Sequence, residues 1–177
     1  MKVRHSLVSI MTLAVGRQVV SRLATSVFGF LFCICASSAA GQEASAEWLA
    51  RMSLPRWVDS VIGPLIERGP YSLVLRLNPF FQVGDFNNDR RRDAAVFVRD
   101  RASGKQGILI VHSGQRTPIK LGLGSAFGNG GDDFGWLDIW RVELTSIGDQ
   151  LVVEKSESAS GAITWDGREY RWTQLSD

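Results

Sequence analysis

The spacing of apolar residues changes character near residue 70. Upstream, Trp48, Leu49 and Met52 fall at i, i+1 and i+4. Beyond Pro55 the residues Val58, Val61, Ile62, Leu65 and Ile66 keep a 3.6-residue period. That spacing predicts two short helices, or one broken helix, over residues 43–68. Pro64, which lacks a backbone N–H, is expected to kink or end the second piece. Downstream, short apolar or alternating runs predict strands at Ser72–Leu77, Phe80–Gly84, Ala94–Arg99, Gly107–His112, Pro118–Leu121, Leu137–Leu144, Leu151–Lys155, Ala162–Trp165 and Glu169–Gln174. Turn pairs punctuate them at Asn78-Pro79, Ser103-Gly104, Ser113-Gly114, Gly148-Asp149 and Asp166-Gly167. The last pair predicts a type I′ hairpin that sets Ile163 opposite Tyr170, with Trp165, Arg168 and Trp172 on the same face. The expected fold class is mainly β: an antiparallel meander, barrel- or sandwich-like, with an N-terminal helical segment.

Residues 1–40 stand apart. They hold Lys2, Arg4, Arg17 and Arg22 and no acid, then an apolar run from Leu23 to Cys35, then Ala36-Ser37-Ser38-Ala39-Ala40. Charged start, apolar middle and small-residue end are the order of a secretory signal peptide, with cleavage after Ala40. An uncleaved membrane anchor is the alternative, because the run approaches the ~20 apolar residues a span needs. The expected organisation is a signal peptide at 1–40, a helical segment at 41–70 packed on the domain, and a β domain at 71–177. The expected location is periplasmic or secreted, with no membrane association after cleavage. Cys33 and Cys35 leave with the leader, so the mature chain carries neither a disulfide nor a thiolate metal site. Four of the 20 basic residues leave too, and 16 against 18 acids turns a net charge of +2 into −2. A weakly acidic chain argues against nucleic acid as a partner.

The segment Gly84–Val98, GDFNNDRRRDAAVFV, carries the most chemistry. Asp85, Asn87, Asp89 and Asp93 occupy loop positions 1, 3, 5 and 9, with Val83 before the loop and a strand pattern from Ala94. Oxygen donors at alternating positions on a tight loop suit a hard cation such as Ca²⁺. The same residues suit a turn whose Asp and Asn side chains cap their own backbone. Val96 stands at position 12, where an EF-hand needs a bidentate Glu.

Residues 81–98 resemble the calcium loop of FG-GAP and VCBS-type repeats, the kind carried by integrin alpha-chain propeller blades. The resemblance implies side-chain ligands from Asp85, Asn87, Asp89 and Asp93, a backbone carbonyl from Arg91, and Ca²⁺ as the cofactor. More loosely, the chain from Gly84 onward is similar to small secreted bacterial proteins with one such loop and no assigned activity. The sequence departs from the pattern at position 6. Arg90 replaces the usual Gly, which costs ~1 kcal/mol if the position needs φ > 0. Arg90, Arg91 and Arg92 also set three positive charges beside the proposed cation. The loop occurs once, where a propeller needs several copies.

Other constellations narrow the function. Gly122 to Asp133 is glycine-rich, yet no βαβ pattern surrounds it and no Lys-Ser/Thr closes it, so it reads as a structured loop and not as a phosphate cradle. Its acids, Asp132 and Asp133, are candidates to complete the cation shell. Trp136, Asp138, Trp140, Val142 and Leu144 alternate onto one face, which makes Asp138 an inward carboxylate if that face is core. His112 is the sole histidine after the leader and cannot build a zinc site without thiols or several carboxylates. The six tryptophans read as core, or as a sugar-stacking platform if exposed. The function expected is a non-catalytic binding or structural module with a protein or glycan partner. The alternative is a small glycan hydrolase using Asp138 and acids of the 129–133 loop. A third reading has helices 43–68 docking a partner through an uncovered apolar stripe.

Overall fold

The computed structural model describes Gln42, residues 45–146 and residues 148–176. The chain divides into two compact units, Met1–Ala46 and Glu47–Asp177. The signal peptide expected at 1–40 lies outside the described residues. No helix among those described is long and apolar enough to cross a membrane.

Residues 47–53 open the second unit as helix α1, and Pro55 then caps helix α2 (Arg56–Glu67). The break falls where the sequence places it. Arg51 crosses back over α2, bonding Asp59 (Nε–Oδ1, 2.9 Å) and Glu67 (Nη1–Oε1, 2.6 Å). Gly63 leaves it room, since a Cβ there would lie 2.7 Å from Arg51 Nη2. Of the two outcomes expected at Pro64, ending the helix does not occur: the residue lies inside α2, which runs on to Glu67. It sits on the exposed side of the helix, as does Ser60, whose carbonyl loses its helical donor. Trp48, Leu49 and Met52 of α1 are exposed, as the docking reading expects.

Two antiparallel sheets follow. In the first, β3 (Asp93–Asp100) is flanked on one side by β4 (Gln106–Val111) and then β5 (Ile119–Gly122). On its other side lie β1 (Tyr71–Leu73) and β2 (Phe81–Gly84), end to end along the same edge. The strand expected at 72–77 thus stops at Leu73, and residues 74–80 make the excursion that lets β2 rejoin that edge. The second sheet is the hairpin series β6 (Ile139–Thr145), β7 (Gly148–Lys155), β8 (Ala159–Trp165) and β9 (Tyr170–Ser176).

The continuous apolar runs of β3 and β4 reflect burial on both faces. Ala95, Phe97, Ile108 and Ile110 point between the sheets, where they meet Leu151, Val153, Ile163 and Tyr170. Ala94, Val96, Val98, Leu109 and Val111 point the other way, onto Val58, Ile62 and Ile66 of α2. The layers are helix, sheet, sheet. The fold is therefore mainly β, and of the two forms expected it is the sandwich.

Two turns differ from expectation. Thr145 stands opposite Gly148, so the Gly148-Asp149 pair begins β7 and does not form the turn. At the last hairpin Ile163 faces Trp172 and Trp165 faces Tyr170, one residue per strand away from the predicted register. The cause is Asp166, whose Oδ1 accepts the N–H of Arg168 (2.9 Å) and of Glu169 (2.8 Å). Asp166 caps the turn from its flank, and Gly167 alone supplies the positive φ, 97°. The face shared by residues 163, 165, 170 and 172 is unchanged, because both strands shift together. Arg168 moves into the turn.

Candidate functional site

The 85–93 loop joins β2 to β3 and folds around its own side chains. Asp85 Oδ1 accepts the N–H of Asp89 (2.9 Å) and its Oδ2 that of Arg90 (2.8 Å). Asn87 Oδ1 also accepts from Asp89 N (3.1 Å), and Asp89 Oδ1 accepts from Arg91 N (2.8 Å). Asp93 is fully buried, and its oxygens accept the N–H of Phe86 (3.1 Å) and Ser113 (2.8 Å). Burial pushes its carboxyl above the usual range, and the Ser113 N–H opposes that rise. Arg90, at position 6, holds φ 65°, the left-handed backbone that the loop pattern reserves for Gly.

The oxygens of Asp85, Asn87, Asp89 and Asp93 thus accept backbone N–H groups of the loop and of Ser113. Among the described residues no three His, Cys, Asp or Glu side chains gather closely enough to hold a metal. Asp132 and Asp133 are not at this loop: Asp132 pairs with Lys105, and Asp133 accepts from Gln106 N and Gly135 N. The outside carboxylate at the loop is Asp149. Its Oδ2 accepts Asp85 N (2.8 Å), while Asp149 N donates to Asp85 O (3.0 Å). Asp149 stands 64 residues from Asp85, so sequence spacing gives no signal for it.

Deeper in, His112 Nε2 lies 2.7 Å from the Tyr170 hydroxyl, and both residues are buried. Trp165 packs edge-on against each, at 5.2 and 5.0 Å between ring centres. Burial drives the Tyr170 hydroxyl far above its ordinary pKa, so it stays protonated. His112 is a satisfied core residue.

A separate cleft of about 430 Å³ opens between the 129–136 segment and the strands β7 to β9. Trp136 and Trp172 contribute ring surface, and Asn129, Ser158, Ser160 and Gln174 contribute amides and hydroxyls. Trp172 is wedged between glycines. A Cβ at Gly161 would lie 2.6 Å from its Cε2, one at Gly128 would lie 2.7 Å from Cγ, and one at Gly130 would lie 2.8 Å from Cζ3. Trp136 meets Trp172 edge to face at 6.3 Å and donates from Nε1 to Gly130 O (2.9 Å). Asp132 and Asp133 border this cleft with their charges already paired or capped.

Asp138 is exposed and not inward. Its residue precedes β6, outside the alternation, and its Oδ2 accepts from Lys155 Nζ at 2.8 Å. That hydrogen bond holds its carboxyl below the usual range. In comparisons with protein-family models, with curated proteins and with solved structures, nothing matches this chain.

Proposed function

We propose that the protein is an exported, non-catalytic binding module whose cleft at Trp136 and Trp172 takes a saccharide. One observation carries the reading: two indoles border a shallow space beside the amides of Asn129 and Gln174 and the hydroxyls of Ser158 and Ser160, and the charged groups there, Asp132, Asp133 and Lys155, are already paired or capped. Flat apolar rings beside neutral donors and acceptors suit a sugar, which presents C–H faces and hydroxyl edges. The carboxylates do not support the hydrolytic alternative. Asp132 is ion-paired, Asp133 caps two N–H groups, and Asp138 is paired with Lys155, so no free pair flanks the cleft. Export rests on the pattern of residues 1–40.

The test is titration with an oligosaccharide panel, read by tryptophan fluorescence. Loss of one stacking ring removes roughly 0.5–1.5 kcal/mol, so Trp136→Ala should weaken binding about two- to tenfold. No saccharide response at millimolar concentration would remove the reading. Ca²⁺ at the 85–93 loop is a second reading, favoured by the left-handed backbone at Arg90.

A further inference from the structure

The molecule carries a second cleft, of about 460 Å³, that shares no residue with the first. It opens between Val83 to Asp85, at the end of β2, and Val142 and Leu144 of β6, with Arg90, Arg91 and Arg92 at its rim. β6 is the outer strand of its sheet. Gln82 Nε2 donates to Trp140 O at 3.1 Å, so Trp140 turns its backbone groups away from β7. Residues two apart on a strand turn theirs the same way, so Val142 and Leu144 also present N–H and C=O outward. Their place opposite Leu151 and Asp149, one step from the turn-flanking Thr145 and Gly148 pair, agrees with this. An open edge of this kind is a template for another strand.

The charge at the rim says what that strand carries. Arg90, Arg91 and Arg92 are exposed and form no ion pair among the described residues, whereas Arg51, Arg101, Arg141 and Arg171 all do. The two carboxylates in the lining are occupied by backbone: Asp85 by Asp89 N and Arg90 N, and Asp149 by Asp85 N. Leu144, at the lip, is 84% exposed. We propose that the Val142–Leu144 edge captures a short extended segment of another protein, acidic at alternate positions, whose carboxylates meet Arg90–Arg92 and whose apolar side chains lie against Val142 and Leu144.

The probe is a fluorescein-labelled (Glu-Val)₄ peptide, followed by anisotropy in 50 mM NaCl, with (Lys-Val)₄ and (Glu-Pro)₄ as controls. The expected result is sub-millimolar binding of (Glu-Val)₄, weakening as salt rises, and at least tenfold weaker binding of both controls. Two variants locate it. R90G/R91Q/R92Q removes the charge and keeps the left-handed position; V142P removes an outward N–H, which edge strands tolerate, along with part of the apolar surface at Val142. Both should lose binding and keep a cooperative melt, and if V142P fails to fold the (Glu-Pro)₄ control still tests the backbone pairing. Three results would overturn the proposal: no (Glu-Val)₄ binding at 1 mM, equal binding of (Glu-Pro)₄, or self-association abolished by V142P, which would make a second copy the occupant.

Discussion

Gly161→Ala is a sharp test of how the second sheet is packed. The added methyl would overlap the Trp172 ring most at Cζ2 and come within 2.5 Å of Cη2, where ordinary contact begins near 3.4 Å, so the ring must retreat by at least about 1 Å. Its room is limited, because Gly128 and Gly130 also lie close against the ring. Overpacking costs about 1–3 kcal/mol, and a ring with three close glycine neighbours belongs at the upper end. Replacing glycine within a strand returns up to ~1 kcal/mol, and Gly161 has no left-handed backbone to strain. The net loss should be about 2 kcal/mol, or a fall in Tm of roughly 4–8 °C for a domain of this size. With Trp172→Ala in place the steric conflict disappears, and Gly161→Ala should be neutral or stabilising. Calorimetry of the two single variants and the double variant closes the cycle, with an expected coupling of about 2–3 kcal/mol. A single-variant loss below about 0.5 kcal/mol, the range of an ordinary surface change, would refute the wedge.

Tyr170→Phe should cost about 1–3 kcal/mol in urea unfolding, because it leaves His112 Nε2 buried without its hydroxyl partner; an unchanged midpoint would show that water reaches the imidazole. Asp166 is held down to about 2, from 3.8, chiefly by the Glu169 N–H and then by Arg171. A depressed carboxyl stabilises the fold above its unfolded value and loses that contribution as pH falls toward about 2. Asp166→Ala should therefore lower Tm at pH 5 and flatten its decline between about pH 4 and 2; an acid limb parallel to wild type would reject the cap. The calcium reading of the 85–93 loop predicts a higher Tm in 1 mM CaCl₂ than in EDTA: a site with Kd of about 0.1 mM adds about 1.4 kcal/mol and roughly 3–6 °C, and the same Tm in both would remove that reading.

What the sequence reveals here follows from how local each cause is. The period change near residue 70 and the apolar runs at 94–98 and 107–111 are local, and they read correctly as helices and buried strands. The hairpin register did not, because Asp-Gly admits two placements and the choice fell to a carboxylate bonding two residues ahead. Loop 85–93 was visible as a set of oxygens. What holds the loop from outside depends on Asp149, whose carboxylate accepts Asp85 N, and on Ser113, whose N–H donates to Asp93, brought in by β7 and the segment after β4. The glycines at 128, 130 and 161 seat a ring from β9, and nothing near any of them in sequence announces it. Asp138 lies outside the alternation because β6 begins at Ile139, and its ion-pair partner, Lys155, comes from another strand.

Strand β3 gives one set of side chains to α2 and the other to the second sheet, and Ala94 to Val98 are wholly buried. The two cores are therefore joined through one backbone, and loss of either layer exposes a fully buried face of that strand. The domain should melt in a single transition, without a stage in which α2 has left and the sandwich survives. Amide hydrogens of residues 95–98 should exchange only through global opening, and their protection would measure the stability of the whole unit. A cavity cut into either side of β3 should then be felt on both sides, so that Val96→Ala loosens the second sheet as surely as Phe97→Ala loosens the helix.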